Sequence, residues 1–409
     1  MTDPVEAPAA SPVDDPWFLN LVVCTAGSFT TIVAMTLLLP FLPLYVEEIG
    51  VTGHAAIVQW SGVAYGATFF TAALTAPLWG RLGDRYGRKL MLIRASLGMA
   101  VAMSLTGMAQ DVWQLVGVRL LTGLLGGYAS GSMILVAAQT PRAKSGWALG
   151  VLSSGIMAGN LVGPLIGGAL PPLIGIRATF WLSGAAIFAS FLGTTFLIRE
   201  RPRPSEARRA TPGGLWARIP DKRPVVAMFA TGLLLTFALT SIEPIITVYV
   251  ALFAPPDAVT FVSGLAMSAG ALGGVLSSAR LGRLADRAGP WTVVVGSLAA
   301  AAVLLVPQAA VAASWQLVGL LFLMGAALGG LLPCMASVIR HSAPEAIAGS
   351  LLGWSVSAQY AGQVLGPLAG GFVGGHVGMR AVFLGTAVLM AAGALANFLV
   401  ERIVRAEPH

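Results

Sequence analysis

The stretch GRLGDRYGRK at residues 80–89 packs five charged side chains between three glycines. The charges are Arg81, Asp84, Arg85, Arg88 and Lys89, although only 10% of the 409 residues are charged. A shorter copy, GRLADRAG, returns at 282–289. A chain this poor in charge that concentrates it in two similar places indicates a duplicated structure with two matching polar loops.

The sequence on both sides of these loops is strongly apolar. Hydrophobic residues make up 56% of the chain, and uncharged runs of 18 residues or more are typical of transmembrane helices. The runs are continuously apolar rather than alternating, which excludes barrel strands. We predict an all-α integral membrane protein with twelve transmembrane helices, at residues 18–45, 56–79, 90–109, 112–139, 146–170, 178–198, 225–253, 258–280, 291–311, 314–339, 350–375 and 379–400.

The basic residues predict the orientation of these helices. With both termini in the cytoplasm, 21 of the 24 Lys and Arg residues fall on the inner side, and the outer loops hold only Arg177 and Arg380. This distribution follows the positive-inside rule. The net charge of +7 is spread over many inner loops, so it indicates membrane topology and not binding to nucleic acid.

The chain is duplicated. Residues 113–117 (WQLVG) recur at 315–319, 163–168 (GPLIGG) resemble 366–371 (GPLAGG), and 40–46 (PFLPLYV) resemble 244–250 (PIITVYV). All offsets are 202–204 residues. A six-plus-six repeat is typical of secondary transporters, and no Walker motif supports ATP-driven transport. We predict a disordered cytoplasmic tail at 1–17, a six-helix half at 18–198, a basic cytoplasmic linker at 199–224, a second half at 225–400 and a cytoplasmic tail at 401–409.

Several motifs resemble the major facilitator superfamily. The stretch 80–92 resembles the loop between its helices 2 and 3, and 118–123 (VRLLTG) resembles its helix-4 motif. Residues 41–55 and 144–150 resemble the MdtG-like multidrug-resistance branch of the twelve-span drug:proton antiporters. The "antiporter" motif of helix 5, associated with proton-coupled drug exporters, is matched by Gly150, Gly159, Gly163, Pro164, Gly167 and Gly168. The resemblance implies the major facilitator fold and a bacterial inner membrane.

The resemblance also implies a latch at the inner gate. Asp84 would dock at the start of helix 11, near 349–350, when the cytoplasmic side is closed, because a helix N-terminus attracts a carboxylate. Asp286 would face the start of helix 5, near Ser145. The family often supplies Arg88 with an acidic partner at the inner end of helix 4, which is missing from 136–144 (VAAQTPRAK). The predicted latch residues are Gly80, Asp84, Arg85, Gly87, Arg88, Asp286 and Arg287.

Each of these motifs also has a purely structural interpretation. The loop glycines permit a tight turn, and Arg81, Arg85 and Lys89 can anchor helix ends at anionic lipid. In helix 5, glycines four residues apart favour close helix packing, and Pro164 introduces a kink. The functional interpretation is that residues 150–168 pack against the other half, at helix 8, and seal the cavity against protons. Both interpretations predict that a bulky residue at Gly159 is harmful.

Arg119 and Glu243 are the predicted proton-coupling residues. A charge at membrane depth is costly and normally faces a cavity or a partner. The counterpart of Arg119 in the second half is Leu321, so the repeat itself does not require an arginine there. Glu243 is the one acidic residue predicted well inside a span, at a depth similar to that of Arg119. We expect the two to interact, although Glu243 could instead bond to backbone loosened by Pro244.

The predicted cavity is aromatic, amide-rich and partly apolar. Aromatic and Met side chains suit amphipathic cations, but each could equally pack between helices or lie at the membrane interface. The histidines and cysteines do not cluster, so we expect neither a metal site nor a cofactor. The predicted cavity residues are Tyr65, Tyr128, Met133, Asn160, Thr240, Trp354, Tyr360 and Gln363.

Three classes of function fit the sequence. The first is a proton-coupled exporter of amphipathic or lipophilic compounds. The second is a sugar or metabolite transporter on the same fold, which includes symporters. The helix-5 motif argues against symport. The third is a membrane sensor or scaffold, for which the chain offers no additional domain. We expect no enzymatic activity, and we expect the lipid bilayer, protons and a small-molecule substrate as partners of a protein that functions as a monomer.

Overall fold

The computed structural model describes residues 16–200, 216 and 219–406, and these residues form helices without a β-strand. The predicted all-α fold with twelve spans is confirmed. We number the spans α1 to α12. They are α1 Pro16–Thr36 with its continuations Leu39–Phe41 and Leu42–Glu48, α2 His54–Tyr86, α3 Arg88–Thr106, α4 Val112–Leu125 with Tyr128–Gln139, α5 Ser145–Ala169 with Pro171–Ile174, α6 Ile176–Leu197, α7 Arg223–Val250, α8 Val259–Ala288, α9 Pro290–Gln308, α10 Ser314–Leu328 with Leu331–His341, α11 Glu345–His376 and α12 Met379–Ala406.

Ten of these spans are long and apolar enough to cross a membrane by length and composition. The other two, α2 and α11, contain 33 and 32 residues. At 1.5 Å per residue each is longer than a hydrocarbon layer of about 30 Å. Both carry polar side chains, such as Gln59 and Gln363. Their lower apolarity reflects their position, because these two helices face each other across the centre of the molecule.

The charged stretch 80–89 is helical on both sides of a single turn residue. Helix α2 continues through Tyr86, and α3 begins at Arg88. Gly87 alone makes the turn, with φ of 96°, a left-handed conformation that glycine adopts at helix ends without strain. Gly289 does the same between α8 and α9, with φ of 90°. The prediction that Gly80 also shapes the turn is wrong, because Gly80 lies inside α2.

The two halves repeat the same helix packing. In the first half α1 packs on α5, α2 on α4 and α3 on α6; in the second, α7 packs on α11, α8 on α10 and α9 on α12. Tyrosines at corresponding positions make corresponding hydrogen bonds. The Tyr45 hydroxyl donates to the carbonyl of Thr106, and the Tyr249 hydroxyl donates to the carbonyl of Gln308 at 2.8 Å. The duplication seen in the sequence is therefore a duplication of tertiary structure.

The halves meet through α2 with α11 and through α5 with α8. We call the end of the bundle that carries Asp84 and Asp286 the inner end, and the end that carries Glu48 and Arg380 the outer end. Backbones touch near the outer end, where a Cβ at Gly62 would collide with the Pro367 carbonyl and one at Gly264 with that of Pro164. The outer end is thus closed by glycine-mediated contacts.

Several predicted boundaries shift. Helix α11 begins at Glu345, directly after Pro344, and not near 349–350. Pro344 has ψ of 140°, so the chain turns into the helix immediately after it. Helix α12 continues to Ala406, through most of the predicted tail. At the other end, α1 already includes Pro16 and Trp17. Residues 1–15, 201–215, 217–218 and 407–409, which hold most of the predicted tails and linker, lie outside the described residues.

Candidate functional site

A cavity of about 510 Å³ lies between the two halves. Helices α1, α2, α4, α5, α7 and α11 form its walls, and hydroxyl and amide groups are frequent in them. We call it the polar cavity. Its polar side chains are Thr31, Thr36, Tyr65, Thr68, Thr122, Tyr128, Ser130, Asn160, Thr236, Thr240, Glu243, Gln359, Tyr360 and Gln363.

The polar cavity continues toward the inner end. A vestibule of about 300 Å³ shares Ala72, Gly123, Ser130 and Tyr360 with it and reaches Asp84 beside α3. Arg94 also borders this vestibule. Its guanidinium lies 3.6 Å from the ring centre of Trp79 and donates to the Gly126 carbonyl at 3.0 Å, next to the break in α4. The exposed Asp84 lines this vestibule, which indicates that the polar cavity is accessible from the inner end.

Among the described residues, Glu243 is the one charged residue lining the polar cavity. It lies on α7 immediately before Pro244, which cannot donate a backbone hydrogen bond and so leaves the helix locally open. The Tyr65 hydroxyl, on α2 of the other half, lies against its carboxyl group. Oxygen Oε2 is buried and has no hydrogen-bond partner among the described residues. A buried acidic group with an unsatisfied oxygen is costly, so this position indicates a functional role.

A second cavity of about 370 Å³ lies on the other side of Glu243. It is bounded by α1, α5, α7, α8 and α10, and it shares Thr36, Asn160, Leu239 and Glu243 with the polar cavity. Most of its lining is apolar, and in the part of the chain that the structure describes Glu243 is again its one charged residue. We call it the apolar cavity. No pattern in the sequence had suggested it.

The predicted interaction between Arg119 and Glu243 is absent from this structure. Arg119 is buried inside the first half, where Nη2 donates to Thr106 Oγ1 at 2.9 Å. The guanidinium carbon lies 5.9 Å from the ring centre of Phe180. Helix α4 thus directs this side chain toward α3 and α6, away from the polar cavity. The sequence identified Arg119 as a charge inside a span but not the face of the helix on which it lies.

The structure places six of the eight predicted cavity residues on the wall of the polar cavity. Two others lie elsewhere. Met133 is exposed on the outside of α4, and Trp354 stacks on Trp216 with ring centres 6.2 Å apart. Both residues are of a type that suits a cavity, but they lie on faces of their helices that are turned away from the polar cavity. Sequence reasoning had not named the threonines of α1 and α2 or Gln359. The six are Tyr65, Tyr128, Asn160, Thr240, Tyr360 and Gln363.

The helix-5 motif packs against α8 of the other half, as predicted, and also against α1 of its own half, which was not predicted. A Cβ at Gly163 would collide with Thr36, and one at Gly167 with the Leu37 backbone. Toward the outer end the motif touches α8, where a Cβ at Gly168 would lie 2.6 Å from the Thr260 carbonyl oxygen. Gly150 has open space around it. The motif therefore combines packing within one half and contact between halves.

The predicted latch residues lie at the inner end, and no hydrogen bond or ion pair among the described residues joins them to the opposite half. Asp84, Arg85, Asp286 and Arg287 are exposed. Arg88 donates through Nη1 to the Ile134 carbonyl of α4 at 3.0 Å. The Ile134 carbonyl thus accepts from Arg88 in place of the acidic side chain of helix 4 that the resemblance led us to look for.

Glu200, which the sequence analysis had not singled out, caps the start of α3. Its carboxylate accepts hydrogen bonds from the backbone N–H groups of Arg88 at 2.9 Å and Lys89 at 2.8 Å. These are two of the N–H groups that a helix start leaves without an internal partner, and a carboxylate there also complements the helix dipole. In the second half the matching helix begins with Pro290, which needs no such acceptor.

We expect Glu200→Ala to loosen the start of α3. Loss of a capping carboxylate costs about 0.5–2 kcal/mol, so amide hydrogens near Arg88 and Lys89 should exchange faster by severalfold. Hydrogen-exchange mass spectrometry of the variant measures this directly. Peptides from the start of α9 serve as the internal control and should be unchanged. Equal exchange near Arg88 in the variant and the native protein would contradict the capping role.

Twelve helices in two pseudo-symmetric halves, closed at one end around a cavity within the membrane, define a secondary transporter. The Major Facilitator Superfamily family model matches residues 24–307 and 261–409. The chain belongs to the major facilitator superfamily. It is a multi-pass membrane transporter and not an enzyme.

Two curated relatives show how near the similarity is. The chain is 42% identical over 389 residues to the multidrug resistance protein MdtG of Salmonella arizonae, covering 94% of this chain and 96% of that protein. It is also 42% identical over 381 residues to the protein of the same name from Enterobacter lignolyticus, covering 93% and 91%. The resemblance to the MdtG-like branch is thus confirmed.

Solved structures agree on the fold. A bacterial homologue of the human lysosomal transporter Spinster, in an inward-facing and unoccupied conformation, superimposes with a TM-score of 0.77 at 15% identity, covering 96% of this chain and 98% of that one. The nucleoside transporter NupG superimposes with a TM-score of 0.73 at 15% identity, covering 93% and 99%. These similarities establish the major facilitator fold.

Proposed function

We propose that this protein is a multidrug efflux transporter that exports amphipathic or lipophilic small molecules in exchange for protons. The observation that carries the proposal is Glu243, the one charged side chain lining both cavities, with one carboxylate oxygen lacking a partner. The names of the two relatives as multidrug resistance proteins support it. The apolar cavity speaks against a sugar carrier, because it offers few hydrogen-bond partners to hydroxyl groups.

In this proposal, proton and substrate compete for Glu243. With the inner end open, the substrate enters through the vestibule, and the Glu243 carboxylate holds its polar or cationic group. After the transition that opens the outer end, the substrate leaves and a proton binds to a carboxylate oxygen of Glu243. Protonation removes the buried charge and so favours return to the inward-open arrangement. Tyr65, which reaches Glu243 from the other half, would sense this change at the contact between halves.

The latch forms the second part of the proposal. Asp84 docks at the start of α11, and Asp286 at the start of α5, when the inner end closes. Their exposure in this structure agrees with an inner end that is open. Arg119 contributes by holding α4 against α3 through Thr106, so its effect on coupling is indirect.

Asp84→Asn should shift the population of conformations toward the inward-open state. Spin labels on α2 and α11 at the inner end would report this shift as longer distances between the two helices.

Localisation and assembly follow from the same proposal. The inner end faces the cytoplasm, and the protein lies in a bacterial inner membrane with both termini in the cytoplasm. A single chain contains both cavities and both halves of the gate, so it functions as a monomer.

A susceptibility panel tests the proposed function. The gene is expressed in a host that lacks its major efflux pumps, and resistance to amphipathic compounds is measured with and without a protonophore. We expect broad resistance that disappears when the proton gradient collapses. The Glu48→Gln protein, altered at an exposed residue of the outer end that pairs with Arg177 at 3.2 Å, should behave as the native protein. Resistance that is insensitive to the protonophore would refute proton-coupled export.

A further inference from the structure

The polar and apolar cavities are counterparts related by the internal repeat. Residues that line one cavity correspond to residues that line the other at an offset of 202. The repeat therefore produced two pockets, one between α11 and the first half and one between α5 and the second half. Corresponding lining pairs are Tyr65 with Met267, Phe69 with Ala271, Thr122 with Met324 and Ser130 with Leu332.

The two pockets have diverged in chemistry. Hydroxyl groups at Tyr65, Thr122 and Ser130 in the polar cavity are replaced by two methionines and a leucine in the apolar cavity. Methionine adapts its shape to irregular apolar ligands. Divergence of this kind indicates that one pocket accepts polar groups and the other accepts hydrocarbon. Glu243 lines both cavities and lies at the boundary between them.

We propose that the apolar cavity binds the hydrocarbon portion of a cationic amphipathic substrate whose charged head lies at Glu243, and that Ala271 sets the size limit of that portion. The proposal rests on the export function but concerns binding alone. A carboxylate with an unpartnered buried oxygen, and without a basic residue in either lining, attracts a cation. A cavity of about 370 Å³ falls within the usual range of small-molecule sites.

At position 271 the apolar cavity has a much smaller side chain than the polar cavity has at the counterpart position. Its counterpart Phe69 places a ring in the polar cavity, packed edge-on against Tyr65 with ring centres 5.1 Å apart. An alanine at 271 leaves the corresponding space in the apolar cavity open. Introducing a phenylalanine there would reproduce the side chain of the counterpart and remove volume from the apolar cavity, while leaving Glu243 itself unchanged.

The test measures binding of n-alkyltrimethylammonium ions with four to twelve carbons to the full-length protein in lipid nanodiscs, with empty nanodiscs subtracted. In the native protein the affinity should rise about fourfold per methylene until the cavity is full. In Ala271→Phe the butyl ion should bind as before, but the affinity should stop rising at a chain several carbons shorter. Ala271→Leu, a smaller addition, should give an intermediate limit and serves if the larger side chain disturbs folding.

Two further variants separate the possible outcomes. Leu276→Phe adds volume at an exposed position of α8 and should keep the native chain-length limit. Glu243→Gln should weaken every ion by a similar factor, because it removes the charge and not the hydrocarbon site. An unchanged limit in both Ala271 variants, or an equal loss at all chain lengths, would overturn the proposal. Because no gradient or transport is involved, this result is independent of whether export is coupled to protons.

Discussion

Replacing Glu243 with glutamine should abolish proton-driven efflux in a protein that still inserts and folds. The substitution keeps the shape of the side chain and removes its ability to exchange a proton, at the one charged position of both cavities. It also relieves the unsatisfied buried carboxylate, so stability should not fall. Efflux driven by an imposed pH gradient in proteoliposomes should drop by about a hundredfold, the scale of a lost proton-transfer group.

Tyr65→Phe provides the graded comparison for this experiment. It removes the hydroxyl that lies against Glu243 and keeps the ring packed on Phe69. We expect transport to persist with a displaced pH profile, because the carboxylate remains but loses a hydrogen-bonding neighbour. A Glu243→Gln protein with full proton-driven efflux would show that the proton is carried elsewhere.

Replacing Gly167 with alanine should strongly destabilise the protein. The added Cβ would collide with the backbone of Leu37, where α1 passes α5, and a backbone cannot rotate away as a side chain can. Overpacking of this kind costs about 1–3 kcal/mol, and we expect the upper end of that range. The midpoint of thermal unfolding in detergent should fall clearly, together with the yield of folded protein in membranes.

Gly150→Ala is the matched control on the same helix. Gly150 belongs to the same motif but is exposed, and nothing lies near an added Cβ. Alanine is favoured over glycine inside a helix by about 0.5–1 kcal/mol, so stability should be unchanged or slightly higher. Equal destabilisation by both substitutions would contradict the packing described here for the motif.

The outcome for individual residues shows how far sequence reasoning reaches. The motif at 150–168 was recognised together with its contact to α8, but its contact with α1 was not predicted, because glycine spacing indicates a close approach without saying which helix approaches. Similarly, Arg119 was recognised as a charge inside a span, but its contact with Thr106 was not predicted. Small errors in helix phase, about 100° per residue, are enough to move a side chain from a cavity to the interior of a half.

Tyr65, Asn160 and Gln363 were placed correctly for a different reason. They are polar residues inside otherwise apolar helices, and such residues turn toward a cavity or a partner because lipid offers no hydrogen bonds. The apolar cavity carries no such signal, since its leucines and methionines resemble those that face lipid. Comparison of counterparts across the repeat identifies it only after the polar cavity has been located.

The sequence by itself determined the membrane location, the twelve helices and the duplication, and it identified Glu243 as the acidic residue inside a span. Each of these depends on local composition or on similarity between the two halves of the sequence. Local composition is informative because apolar and charged groups differ strongly in how well water and lipid solvate them. Only the tertiary structure decided which end is closed, that Arg119 and Glu243 lie apart, that Glu200 caps α3 and that two counterpart cavities meet at Glu243. Those features depend on which helix faces are brought together by packing, and such contacts join different helices, as Arg119 joins Thr106 and Glu200 joins Arg88.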